Sequence, residues 1–147
     1  MLRRAERKDT EAILGLIREL AEYEKEPDAV VNTAQSLAKD LFDDAICSAL
    51  VYEIPEKGVI GFALYYFGYS TWKGKTLYLE DFYVQPEFRQ NGIGEILFNA
   101  VLEVAKKEKV LRMDWQVLAW NKPAINFYKK QGAHLDSEWI NGRLFFD

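Results

Sequence analysis

Arg89-Gln90-Asn91-Gly92-Ile93-Gly94 places two glycines where an extended run, Leu77 to Val84, gives way to a helical pattern from about Gly92 to Lys107. Glycine has no Cβ, so the backbone there can come close to a ligand. A helix start leaves several N–H groups unpaired and carries roughly half a positive charge. Together these features bind phosphate oxygens and point to a nucleotide-like ligand. Spacing removes the two common forms. A P-loop needs Gly, four residues, then Gly-Lys-Ser/Thr, whereas Gly94 is followed by Glu95 and Ile96. A dinucleotide fingerprint needs Gly or Ala three residues after the second glycine, and that position is Leu97.

A second constellation lies downstream, in Trp120-Asn121-Lys122-Pro123-Ala124-Ile125-Asn126-Phe127-Tyr128-Lys129-Lys130-Gln131-Gly132-Ala133. Pro123 suits the first helical position, Asn121 can cap, and Gly132 can stop the helix in the left-handed conformation. Ala124, Phe127 and Tyr128 repeat at i, i+3 and i+4, so burial alone would account for the aromatics. The two constellations read as Arg-x-x-Gly-x-Gly and Asn-x-x-Ala-x-x-Phe-Tyr-x-x-x-Gly. As a pair they resemble the GCN5-related N-acetyltransferase (GNAT) superfamily, which holds the pyrophosphate of acetyl-CoA on the first segment.

The resemblance is closer to the diamine (spermidine/spermine, thialysine) acetyltransferases. It is carried by Leu16 to Glu24, Gly61 to Phe67, Leu77 to Phe82 and Trp120 to Lys129. It implies acetyl-CoA as co-substrate, no metal, and a small cationic amine as acceptor. For the co-substrate it implies backbone contacts from Phe82, Tyr83 and Val84 to the acetyl carbonyl and pantetheine arm. Gln90, Asn91, Gly92, Ile93, Gly94 and Glu95 would hold the pyrophosphate, with Arg89 adding charge. Asn121, with Pro123 and Ala124 beside it, would meet the pantetheine where two neighbouring strands splay apart. Tyr23, Glu24 and Trp72, together with Glu80 and Asp81, are the expected amine-binding residues, offering carboxylates for ammonium and aromatic faces for cation–π contact.

The reaction sets an amine nitrogen against a thioester carbonyl. An alkyl ammonium with pKa ~10.4 is deprotonated only about once in 2,500 molecules at pH 7, a penalty of roughly 4.6 kcal/mol. A group that removes the proton is therefore useful, and Glu80 is the candidate, directly or through water. In a regular strand Tyr78, Glu80, Phe82 and Val84 share one face and Asp81 points away. The resemblance implies a bulge here, which would let both acids approach the site. Tyr128 is the expected general acid for the departing thiolate.

These residues need a frame, and the chain supplies one. A first strand is expected over Leu2 to Ala5, then a helix from about Thr10 to Lys25 capped by Asp9, with Ile13, Leu16, Ile17 and Leu20 as its apolar stripe. Thr33 can cap a second, shorter helix through Leu37 and Leu41. Strands follow at Ala49–Ile54 and Val59–Phe67, joined by a turn at Pro55-Glu56-Lys57-Gly58. Gly68 to Lys75 reads as a loop, and Thr76 to Val84 as the third long strand. After the glycine-start helix come a strand over Leu111 to Leu118 and the Pro123 helix. The tail, Leu135 to Ile140, Asn141-Gly142 and Arg143 to Phe146, reads as a hairpin on a type I′ turn. The order β-α-α-β-β-β-α-β-α-β-β is α/β, with helices flanking a mixed sheet. It matches the GNAT order, which implies a mostly antiparallel twisted sheet in a single domain over residues 1–147.

Composition sets outer limits. The 147 residues are 49% apolar and 14% aromatic, enough for a packed core. A net charge of −4 argues against a nucleic-acid partner. No apolar run approaches a membrane span, and the basic start lacks the apolar stretch of a signal peptide, so a cytoplasmic location is expected. Cys47 and His134, single members of their types, lie far apart and outside any nucleophile motif. No Gly-x-Ser-x-Gly or histidine cluster is present.

Three departures from the family stand out. Ser70-Thr71 replaces an Asp-Pro, which removes an acid for a distal ammonium. Met113-Asp114-Trp115-Gln116 is less apolar than its counterpart. The chain ends at Asp147, short of an extension whose dimer contacts would be absent, although the family still implies a homodimer. Two other readings stay open: acetylation of an amino acid or a protein or peptide amine, and a non-catalytic acetyl-CoA-binding regulator.

Overall fold

The computed structural model describes residues 1–146. They fall into two compact units, Met1–Gln116 and the segment from Val117 on. In the first unit, β1 (Leu2–Arg4) is followed by α1 (Thr10–Tyr23) and α2 (Ala34–Ala38), which runs into a π-turn at Lys39–Asp43. Then come β2 (Ser48–Ile54), β3 (Gly58–Ser70), β4 (Gly74–Val84), α3 (Ile93–Lys107) and β5 (Met113–Asp114). The second unit contains α4 (Lys122–Lys130). The sheet order is β1-β2-β3-β4-β5, antiparallel except for the parallel β4–β5 pair. This is the α/β mixed sheet that the pattern of elements predicts.

Alternation along the strands divides the sheet into two faces. Val51, Phe62, Leu64 and Tyr83 cluster with Ile13, Leu14 and Leu16 of α1 and with Leu37 and Leu41. The other face takes α3, whose Leu97, Phe98 and Val101 are fully buried. Phe82 meets Phe98 there at 5.8 Å between ring centres. Gly61 lies under this contact; a Cβ on it would sit 3.1 Å from the Tyr83 carbonyl and 3.3 Å from Leu97. The absent side chain lets α3 rest directly on the sheet.

Several expectations are corrected. The loop over Gly68 to Lys75 is instead a hairpin, with a turn at Thr71–Lys73 between β3 and β4. Buried Ser70 holds that turn by accepting the N–H groups of Trp72 and Lys73, both at 3.1 Å. Asp9 precedes α1, but its carboxylate does not cap the helix. It accepts two bonds from Arg3, at 2.7 and 2.9 Å, and one from the Glu6 amide. A short 3-10 turn at Arg7–Asp9 puts Asp9 in helical geometry already, so its side chain faces Arg3 rather than the next turn.

The strand expected over Leu111 to Leu118 shrinks to Met113–Asp114, paired with Leu77 and Tyr78. Beyond Asp114 the chain leaves β4, and Trp115 packs edge-on against Phe98. The tail hairpin is not formed: residues 133–146 contain no strand. Trp139, Ile140, Leu144, Phe145 and Phe146 are 77–96% exposed. The turn chemistry is present, but a two-stranded hairpin without a covering surface is marginal in water.

Candidate active site

Site geometry begins with a register shift in β4. Leu64 pairs with Asp81 and Tyr65 with Leu79, so Glu80 is an extra residue, a β-bulge. The bulge resets alternation: Glu80 and Asp81 both turn toward α1, while Phe82 turns toward α3 and Tyr83 back toward α1. The grouping of Tyr78, Glu80, Phe82 and Val84 on one face, expected of a regular strand, therefore breaks at Glu80.

Both acids line a groove of about 460 Å³ beneath α1 and α2. Leu64, Leu37 and Ile17 form its apolar wall, and Asn32, Asp40 and Tyr66 add polar groups. No basic side chain lines it among the described residues. Half-buried Asp81 is pushed up to about 7, first by burial and then by the charges of Glu80 and Glu24. Burial also raises Glu24. Tyr66 rises through burial and the charge of Glu80. The arrangement attracts cations and holds one carboxyl near half-protonation at neutral pH, where it can take up or release a proton.

Of the expected amine-binding residues, Glu24, Glu80 and Asp81 come together. Tyr23 instead sits under Arg89, whose guanidinium carbon lies 5.6 Å from its ring centre. Trp72 stands at the β3–β4 turn, 81% exposed, beyond Gly74, the start of β4, which is itself about 20 Å from Glu80 along the strand at ~3.3 Å per residue. The sequence reading missed Asp40, Asn32 and Tyr66. A signal for Asp40 was available, because it lies three residues after Leu37 on the face α2 buries. Cys47 also lines the groove, but burial and nearby Asp40 push its thiol up, which keeps it in the unreactive neutral form.

The glycine loop from Arg89 to Gly94 is built as its residue types dictate. Gln90 and Gly92 adopt left-handed backbone, φ +67° and +79°, turning the chain into α3. No side chain caps the helix. The first α3 amide used internally is that of Ile96, bonded to the Gly92 carbonyl at 3.0 Å. Among the described residues, no hydrogen bond engages the amides of Gly92, Ile93, Gly94 or Glu95. On its outer side β4 pairs with β5 at Leu77 and Tyr78, and Phe82, Tyr83 and Val84 follow on the way to the loop. Free amides at a helix start fit a pyrophosphate.

In the second unit, Asn121 caps α4 by accepting the Ala124 amide at 3.3 Å, and Pro123 sits in the first turn. Gly132 ends the helix at φ +85°. Tyr128 is buried, its ring set edge-on to Phe127 at 5.6 Å.

Known proteins show the same pattern. A thialysine N-epsilon-acetyltransferase from Bos taurus is 45% identical over 141 residues, spanning 90% of this chain and 83% of that protein. A human spermidine/spermine N(1)-acetyltransferase-like protein 1 is 39% identical over 139 residues, 90% of this chain and 20% of that longer one. A crystal structure of a mutant BH1408 protein from Bacillus halodurans superposes with a TM-score of 0.82 at 20% identity, over 99% of each chain, so it bears on the fold alone. The model of the acetyltransferase (GNAT) family matches residues 11–133, running through the bulge, the glycine loop and α4. With strand order, loop and relatives in agreement, the chain belongs to the acetyltransferase (GNAT) family.

Proposed function

We propose that this protein transfers acetyl from acetyl-CoA directly to a primary amine of a small cationic substrate, of the diamine, polyamine or thialysine type. The bulge carries this reading: one extra residue turns two neighbouring carboxylates into a groove lined by no basic group. The names of the 45% and 39% identical relatives support the same acceptor class.

The ammonium enters against Asp40, Glu80 and Asp81. Asp81, with its carboxyl near 7, takes the proton, and Glu80 assists through water. The neutral nitrogen attacks the thioester carbonyl, whose oxygen is met by backbone groups of Phe82 to Val84. As the tetrahedral adduct collapses, the C–N bond remains and the C–S bond breaks. The leaving thiolate receives a proton from the Tyr128 hydroxyl, the second nitrogen proton restores that hydroxyl through solvent, and Asp81 releases the first to solvent. Gln90 to Glu95 hold the pyrophosphate, and Asn121, Pro123 and Ala124 border the pantetheine. We further propose one catalytic domain across residues 1–147, acting in the cytoplasm. A homodimer is part of the reading, supported by the exposed apolar row from Trp139 to Phe146.

The test is thiol release from acetyl-CoA with putrescine, spermidine, thialysine, lysine and short peptides. Turnover is expected with the di- and polyamines or thialysine. Turnover with peptides alone would replace the small-amine reading, and CoA binding without thiol release would make the protein a sensor.

A further inference from the structure

Arg89 opens the phosphate loop, yet its guanidinium is engaged elsewhere. Its Nε donates to the Val84 carbonyl at 2.7 Å. The guanidinium carbon lies 5.3 Å from the ring centre of Tyr83 and 5.6 Å from that of Tyr23. Tyr83 is itself anchored, its hydroxyl donating to Glu19 at 3.1 Å, and Gln85 donates to the same carboxylate at 3.0 Å. Tyr23 is the last residue of α1, and the next, Glu24, is close enough for its charge to act on Asp81. The helix closes there on a Schellman turn: Lys25 is left-handed at φ +66°, its amide bonds the Glu22 carbonyl and that of Glu26 the Ala21 carbonyl.

We propose that Arg89 is a positioning residue that couples the phosphate loop to the amine groove, so that a loop fixed on CoA also fixes the last turn of α1 and Glu24 with it. The idea rests on the loop being the CoA site. A cation between two aromatic rings, tied by a charge-assisted bond to the strand end, links the loop to α1 and β4, which Glu19 already joins to each other. Coupling of this kind is reciprocal: CoA tightens amine binding, and the amine tightens CoA.

Amide hydrogen exchange on the full chain tests this without knowledge of the natural amine. In the unaltered protein, CoA is expected to slow exchange both at 92–96 and at 24–26. In Arg89→Gln, protection at 92–96 should persist while protection at 24–26 is lost, with Arg89→Lys in between. Tyr23→Leu, which cuts the contact from the other side, should reproduce the loss. For the amine that turns over, the tightening produced by CoA should fall about threefold to tenfold in Arg89→Gln. Indifference of 24–26 to CoA in the unaltered protein, or equal protection in both variants, would overturn the coupling. A loop that stays unprotected by CoA in the unaltered protein would remove the loop assignment itself and the coupling built on it.

Discussion

Asp81 is the residue whose environment speaks most directly to pH. Its carboxyl is raised from 3.8 to about 7, so the folded state favours its protonated form. The sign follows: the stabilisation is fully present below the unfolded value near 4 and is lost as pH rises through about 7. Asp81→Asn, which cannot ionise, should therefore gain on the parent progressively between pH 4 and 7 and hold a constant lead above. That lead should be on the order of 1–3 kcal/mol, read from denaturant midpoints across pH. Tyr128→Phe should lower kcat by about 10- to 10⁴-fold with little change in acetyl-CoA affinity; unchanged turnover would remove the hydroxyl from the mechanism. Residue type and motif are enough to single out Glu80 and Tyr128 as candidates, and Glu80 does line the groove. The raised carboxyl of Asp81 was not, because it arises from burial and from Glu24, more than fifty residues distant in the chain. Arg89 was expected only to add charge; its stacking on Tyr23 and Tyr83 was not legible, since it depends on where α1 ends.

Among the elements, β4 shows how one residue sets chemistry. The pairs on either side of the bulge already alternate, Leu79 opposite Tyr65 and Asp81 opposite Leu64. Deleting Glu80 should therefore smooth the strand without reversing any neighbour. The variant is expected to fold, with its melting temperature within a few degrees of the parent and amine turnover strongly reduced. Deleting Phe82 instead would exchange the faces of the residues next to it and should prevent folding, as circular dichroism would show. Gly61→Ala brings a Cβ against the Tyr83 carbonyl and Leu97. The expected loss is about 1–3 kcal/mol, measured by chemical denaturation. Element types over Thr10 to Lys107 followed from periodicity, because long amphipathic runs and caps such as Thr33 state themselves locally. The β3–β4 connection did not: Gly68 and Gly74 look like loop residues, while the hydroxyl of Ser70 lets the hairpin close tightly. The strand at 111–118 failed for a different reason. β4 continues to Val84, but the chain parts from it after Asp114, which no local pattern records.

At the scale of the whole molecule, the open question is what covers the tail. Five large apolar side chains between Trp139 and Phe146 face solvent, an arrangement that favours association. Light scattering should give twice the chain mass for the unaltered protein, and Ile140→Lys with Phe145→Lys should shift it to one. A monomer in both cases would remove the homodimer. The tail's failure to form its hairpin belongs here too: Asn141-Gly142 encodes a turn, but strands on either side need a surface that this stretch of sequence does not supply.

The pairing of β1 with β2 has a consequence for how the molecule is made. Leu2 to Arg4 find their partners only at Leu50 to Tyr52, and Arg3 also reaches Glu53. At synthesis rates of 5–20 residues per second, β1 waits about 3–10 seconds for its neighbour to exist. Until then Arg3 can pair only with nearby acids such as Asp9. β1 is thus made well before the strand that locks it, and a chaperone that shields emerging chains would meet it unzipped.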